Sequence, residues 1–285
     1  MEIMKNENIT VREPASDYVG EDGLLRCGLC HEPKEARFPE GIIFPDGRDK
    51  HPRPCACERA RREKEARENE AIRHSRAVYV LRRNCFNDHS LSGMTFAASA
   101  ISTEQVEACR RYADLWETAR ENNFGLLLWG DVGTGKSFLA ACIANALIEK
   151  EVSVRMLNFG QILNTGFDEK ARILGELSKH DLLILDDFGM ERRTEYAQEI
   201  VFQVIDTRYQ SRKPMIVTTN LSLQTLKSPA DLEEERIYSR ILEACIPVHF
   251  DGENLREKIC LKKTQEFRVM ISDIDTGDTG DEYRK

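Results

Sequence analysis

Past residue 125 the chain alternates short apolar runs with longer stretches whose apolar residues fall three and four apart. The runs Leu126–Trp129, Val152–Leu157, Leu182–Leu185 and Pro214–Leu221 read as buried strands, because a parallel strand covered on both faces is apolar at nearly every position. Between them, Phe138–Lys150 has Leu139, Ile143 and Leu147 at helical spacing, and Gln161–Ser178 and Glu195–Arg212 are helical as well. Strand and helix in turn predict an α/β fold with a parallel sheet flanked by helices. A helix over Ser102–Asn122, capped by Ser102 or Thr103 and apolar along Val106, Tyr112, Ala113 and Trp116, precedes this region. Helix Leu232–Glu243, a short strand Val248–Phe250 and helix Asn254–Phe267 follow it.

The first hundred residues have another rhythm. Residues 1–24 are polar and aperiodic and are left unassigned or disordered. Residues 25–58 carry paired cysteines. Glu58–Arg83 is helical in composition, with nine Lys or Arg against five Glu. It reads either as a solvated linker laced with i to i+4 ion pairs or as a basic face for DNA or an acidic partner. Asn84–Ser102 reads as a connector. The expected organisation is a cysteine module at 25–58, a charged linker helix at 59–89, an α/β domain at 90–271, and an acidic disordered tail at 272–285.

Composition narrows the functional classes. The chain has 285 residues, 32% charged and 41% hydrophobic, and a net charge of −8, which confines any nucleic-acid contact to a local face. No apolar run approaches the roughly 18 residues of a membrane span, and the start MEIMKNENIT lacks signal-peptide character, so a cytoplasmic protein with no membrane partner is expected. Of the nine cysteines, Cys85, Cys109, Cys142, Cys245 and Cys260 stand singly and read as core residues.

The segment after Trp129 carries chemistry. Gly130, Asp131, Val132, Gly133, Thr134, Gly135, Lys136 and Ser137 form G-x-x-x-x-G-K-S between a strand and a helix, the context a phosphate-binding loop requires. Its glycines turn backbone N–H groups onto phosphate oxygens, Lys136 adds a point charge, and the Ser137 hydroxyl can ligate Mg²⁺. With Phe138 these residues are the expected nucleotide contacts. The strand Leu182–Leu185 runs into Asp186 and Asp187, so Asp186 is expected to face the Mg²⁺ and Asp187 to polarise a water. Asn220, at the tip of the following strand, could orient that water or sense the γ-phosphate. Arg236 and Arg240 share a helix face.

Cys27 and Cys30, then Cys55 and Cys57, form two close pairs that suit a four-thiolate zinc site of structural type, His31 and His51 being near enough to replace one thiol. A redox pair and free thiols are the alternatives.

The order of phosphate loop, acid-tipped strand, Asn-tipped strand and late arginines resembles the AAA+ P-loop ATPases. The runs LLLWGDVGTGKSFLAACIANALIEK, LLILDDFG and IDTRYQSRKPMIVTTNLS, with RIYSRI and DGENLREK, resemble the DnaC/IstB-type branch, and the cysteine module is similar to that of some bacterial and phage helicase loaders. The resemblance implies an AAA+ fold, ATP, Mg²⁺, and slow, assembly-dependent hydrolysis. It assigns Gly130, Gly135, Lys136 and Ser137 to Walker A, Asp186 and Asp187 to Walker B and Asn220 to sensor 1. Arg240 becomes an arginine finger acting on a neighbouring subunit, with Arg236 as fallback, and Arg256 becomes sensor 2. It further implies self-association on ATP binding, single-stranded DNA, and a DnaB-type replicative helicase as partners. An IstB-type transposition helper and a nucleotide-gated adaptor with little turnover are the other readings. The second is motivated by Asp187, where many relatives of this type carry Glu.

Overall fold

The computed structural model describes residues 16–39, 47–87, 89–98, 103–191 and 194–272, and it divides the chain into two units, residues 1–75 and 76–285. In the first, β1 (Tyr18–Val19) pairs antiparallel with β2 (Leu25–Arg26), and β3 (Glu35–Arg37) with β4 (Lys50–Pro52). Residues 16–24, which the sequence left unassigned or disordered, therefore take part in a small sheet. A tight turn holds them, in which Gly20 N–H donates to Leu24 O and Gly23 N–H to Gly20 O, both at 2.9 Å. Strands of two or three residues are too short to leave a periodic signature. Residues 1–15, left unassigned or disordered, and 273–285, expected to be disordered, lie outside the described residues.

Helix α1 (Ala56–Cys85) starts at the second cysteine pair. Its first turns are exposed and carry the i to i+4 pairs Glu58–Arg62, Arg61–Glu65 and Lys64–Glu68, as in the solvated-helix reading. Each such pair is worth only about 0.3–0.5 kcal/mol.

The second unit begins at Arg76: Val78 and Cys85 at the end of α1, and Phe86 just after it, are buried in its core. Two short 3-10 turns follow, then α2 (Glu104–Asp114), capped by Thr103, and α3 (Trp116–Glu121). The single helix expected over this span is thus broken at exposed Leu115, a bend that brings Trp116 into the core. Then come β5 (Gly125–Gly130), α4 (Lys136–Ile148), β6 (Val154–Asn158), α5 (Phe159–Asn164) and α6 (Phe167–Glu176). Next are β7 (Leu182–Phe188), α7 (Glu195–Gln210), β8 (Met215–Thr219), α8 (Leu223–Lys227), α9 (Leu232–Ala244), β9 (Cys245–Phe250) and α10 (Leu255–Ser272). The helix expected at Gln161–Ser178 is two, since Asn158 and Gln161 form a capping box that starts α5 early and α6 starts anew after Gly166. Helix α8 was not foreseen, and α10 runs past Phe267 to Ser272.

The five strands β6-β7-β8-β5-β9 form one parallel sheet. Side-chain alternation on central β5 builds both layers. Leu126 and Leu128 join Leu139, Ile143 and Leu147 of α4 and Trp116 of α3 on one face. Leu127 joins Val204 and Ile205 of α7 and Ile241 of α9 on the other. The carboxyl ends of β5, β7 and β8 consequently emerge side by side, where doubly wound sheets bind ligands. Among the described residues no helix is long and apolar enough to cross a membrane.

The opposite end of the sheet is held by a charge that sequence periodicity does not reveal. Arg208 of α7 is fully buried. Its guanidinium donates to the carbonyls of Leu177 (3.0 Å), His180 (2.8 Å), Asp181 (2.7 Å) and Pro214 (2.6 Å). Burial brings its pKa down to about 10, still charged at neutral pH. Arg208→Met should strand these carbonyls and lower unfolding stability by about 3 kcal/mol, read as a reduced urea midpoint with an unchanged slope in tryptophan fluorescence.

Candidate nucleotide and metal sites

The loop between β5 and α4 is shaped by glycines at φ of 133° (Gly130), 82° (Gly133) and 97° (Gly135). At Gly130 the requirement is also steric, since a Cβ there would lie 2.1 Å from Phe250 O of β9. At Gly133 it would lie 2.0 Å from the Asn254 amide, and Leu255 N–H donates to Gly133 O at 2.9 Å, so the start of α10 is fastened to the loop. Thr134 Oγ1 donates to Asp131 O at 2.8 Å. Ser137 is half-buried in the first turn of α4, where the helix dipole favours an anion.

Lys136 is 6% exposed. Its Nζ donates to the loop's own carbonyls, Gly130 O at 2.8 Å and Asp131 O at 2.6 Å. Burial lowers its pKa, Asp187, Asp131 and Asp186 oppose that shift, and Arg256 adds to it. Asp187 is raised, first by desolvation and then by Asp186, while Arg256 and Lys136 pull it down. The fold thus assembles Lys136, Asp186, Asp187 and Arg256, distant in sequence, into one charge cluster.

The acids do not end their strand as expected, for β7 continues through them to Phe188 by a bulge. Leu185 pairs with Val217 and Phe188 with Thr219, so Asp186 and Asp187 together face Thr218. Asp187 takes the left-handed conformation, φ 55°, which Asp tolerates better than most residues. Asn220 follows β8 directly and is half-buried beside this bulge.

Arg240 lies elsewhere, on the α7–α9 face. Its Nε donates to Asp206 Oδ1 at 2.9 Å and its Nη1 to Arg236 O at 2.7 Å. Its guanidinium sits over Phe202 and Tyr209, and Arg236 over Phe202. Arg240 is therefore held in one orientation by its own chain, whereas Arg236 is exposed.

Beside the loop opens a cleft of about 510 Å³ whose apolar wall is Val106, Phe138, Leu139, Phe250, Leu255 and Ile259. Apart from Phe138, none of these was expected at the site. They come from α2, α4, β9 and α10, and no local motif joins them.

In the first unit the sulfurs of Cys27, Cys30, Cys55 and Cys57 all lie within 4.8 Å of one another. A tetrahedron with metal–sulfur bonds of about 2.3 Å has edges of roughly 3.8 Å, so the set fits a metal with a small contraction. Backbone N–H groups of Cys57 and Glu32 bring the Cys30 thiol down to about 6. Cys57, hydrogen-bonded to that sulfur and desolvated, is pushed up to about 12. Neither His31 nor His51 brings a ring nitrogen into this group of close ligand atoms; His31 Nδ1 pairs with Tyr18 Oη at 3.0 Å and His51 packs on Phe38.

The parallel sheet, the glycine loop and the acid-bearing bulge define a P-loop nucleotide-binding protein of the AAA+ class. The chain matches the family described as IstB-like ATP binding protein over residues 61–263, and it belongs to that family. Replicative helicase loader DnaC of Escherichia coli (strain K12) is 27% identical over 212 residues, 69% of this chain and 81% of that protein. Replicative helicase loader DnaI of Bacillus subtilis (strain 168) is 28% identical over 62% of each chain. The crystal structure of the DnaC helicase loader superposes with a TM-score of 0.50 at 23% identity, covering 57% of this chain and all of that one, and it supports the fold.

The raised Asp187 carboxyl has a signed consequence. The folded state holds its proton to higher pH than the unfolded chain, so stability falls as pH rises through that window and stays lower above it. Asp187→Asn removes this fall. Free of nucleotide and Mg²⁺, the variant should unfold at a higher temperature than wild type above about pH 4, with the gap closing below, as measured by calorimetry from acid to neutral pH.

Proposed function

We propose that this protein is a Mg²⁺-dependent ATPase that loads a hexameric replicative helicase onto single-stranded DNA. The observation that carries the chemistry is the buried Lys136 ammonium, held by the carbonyls of Gly130 and Asp131 inside the glycine loop at the carboxyl edge of the sheet, with the charges of Asp186, Asp187 and Arg256 acting on it. The loader role is supported by relatives named replicative helicase loaders. The phosphate chain of ATP lies along the glycine loop, where Lys136 exchanges its two carbonyl partners for phosphate oxygens. Ser137 and Asp186 hold Mg²⁺, which when bound neutralises charge on the phosphates. Asp187 and Asn220 align the attacking water, and Arg256 draws charge from the same side as sensor 2. The base enters the cleft beside Phe138.

Arg240 acts on the site of a neighbouring copy, so hydrolysis depends on self-association. Its contacts with Asp206, Phe202 and Tyr209 support this role by pre-orienting the guanidinium, which reduces the entropy lost on engagement. The four thiols hold a structural Zn²⁺ whose module takes the helicase, and the whole acts in the cytoplasm. The family's IstB-like description favours a second reading, a helper of a transposase.

Co-purification decides between them. Capture of a hexameric helicase together with phosphate release stimulated by single-stranded DNA is expected; capture of a transposase instead would support the second reading, and DNA-insensitive binding without turnover a passive adaptor. Arg240→Ala should keep ATP affinity while turnover drops about 10³-fold; loss of ATP affinity in the monomer would contradict action in trans. Cys27→Ser should lose its zinc by elemental analysis and its hold on the helicase while ATP binding persists.

A further inference from the structure

Two threonines of β8 stitch the bulge in β7: Thr219 Oγ1 donates to Phe188 O at 2.7 Å, and Thr218 alone holds the two acids. Thr218 Oγ1 donates to Asp186 Oδ1 at 2.7 Å and accepts the Asp187 backbone N–H at 2.9 Å. Thr218 has no exposed surface. The preceding residues of β8, Ile216 and Val217, are the branched apolar residues that a buried parallel strand ordinarily carries, whereas Thr218 and the equally buried Thr219 bring hydroxyls that both bond to β7. A hydroxyl is not needed there to form the strand, and Val would fill the same volume. A hydroxyl has one proton to donate. Here that proton is spent on a carboxylate oxygen, and the oxygen's own acceptor capacity on the N–H that the bulge removes from the ladder.

We propose that the Thr218 hydroxyl is a positioning group for Mg²⁺ loading: it ties down Asp186 Oδ1 so that the other carboxylate oxygen faces the cation, and it holds Asp187 in its left-handed turn. The inference rests on the assignment of Asp186 to Mg²⁺ above. It also accounts for the acid at 187 being Asp. The position is left-handed, a conformation Asp adopts through its short polar side chain and a longer acid does not favour. Substituting partners that orient a ligand typically changes metal affinity or activity about 10–100-fold.

The test is binding, with turnover alongside. A fluorescent non-hydrolysable ATP analogue is titrated against the full chain over a range of Mg²⁺ concentrations. Thr218→Val should raise the Mg²⁺ needed for half-maximal tight binding about tenfold or more and leave Mg²⁺-free binding to the loop unchanged. Thr218→Ser, which keeps the hydroxyl, should restore the wild-type Mg²⁺ dependence. Circular dichroism checks that each variant is folded. If Thr218→Val does not fold, Thr218→Cys, with its weak donor, takes its place and should lie far from both wild type and Thr218→Ser. An unchanged Mg²⁺ requirement in a folded Val or Cys variant overturns the proposal, as does a Ser variant no better than Val. Asp186→Asn run in parallel separates the two layers. If it too leaves the Mg²⁺ requirement unchanged, the assignment of Asp186 falls; if it shifts that requirement and Thr218→Val does not, only the role of Thr218 falls.

Discussion

A buried ammonium with nowhere to go is the constraint on which the larger unit depends. Lys136 sits almost out of solvent, and its charge is tolerated because two carbonyls of its own loop turn toward it. That turn exists only because Gly130 passes within touching distance of β9, and Gly133 against the start of α10, with no side chain between. Such an ammonium is a poised ligand for phosphate. Its present partners are neutral carbonyls, so an anionic oxygen offers a stronger, charge-assisted bond without new desolvation of the lysine.

The same logic links the loop to the acids. Burial lowers the pKa of Lys136, and desolvation and then Asp186 raise that of Asp187; each of the two opposes the other's shift, and Arg256 enters on the side of the acids. The cluster mixes both signs of charge, and Lys136 and Asp186 are held by neutral carbonyl and hydroxyl partners, the arrangement expected of a site prepared for a polyanion and a divalent cation together. At the far end of the sheet, Arg208 spends an equally buried charge on four carbonyls and has no free donor to offer a ligand. One buried cation is a staple and the other a site, and the difference lies in whether the partners can be exchanged.

Sequence patterns located the strands, the major helices and the loop residues because these are local. An apolar run signals a two-sided strand, and a glycine spacing signals a loop that wraps phosphate, whatever the rest of the chain does. The four cysteines were legible for a similar reason, their spacing, though only the fold leaves His31 and His51 out of the set, by keeping their ring nitrogens away from the four sulfurs. Hairpins of two-residue strands, the bend at Leu115 and the capping-box start of α5 fall below what periodicity resolves.

What the amino-acid order determined by itself is the inventory: an α/β unit, a phosphate loop, two acids on a strand, an amide tip and late arginines. Tertiary structure alone decided how these meet. It made Asp187 left-handed, because two residues of β7 must face one of β8, and it built the apolar cleft from four separate elements. It also set Arg240 against Asp206 on the α7–α9 face, away from its own chain's loop. Each of these turns on register and packing between segments far apart in the chain, and a hydrophobic pattern read along one segment carries no term for that distance.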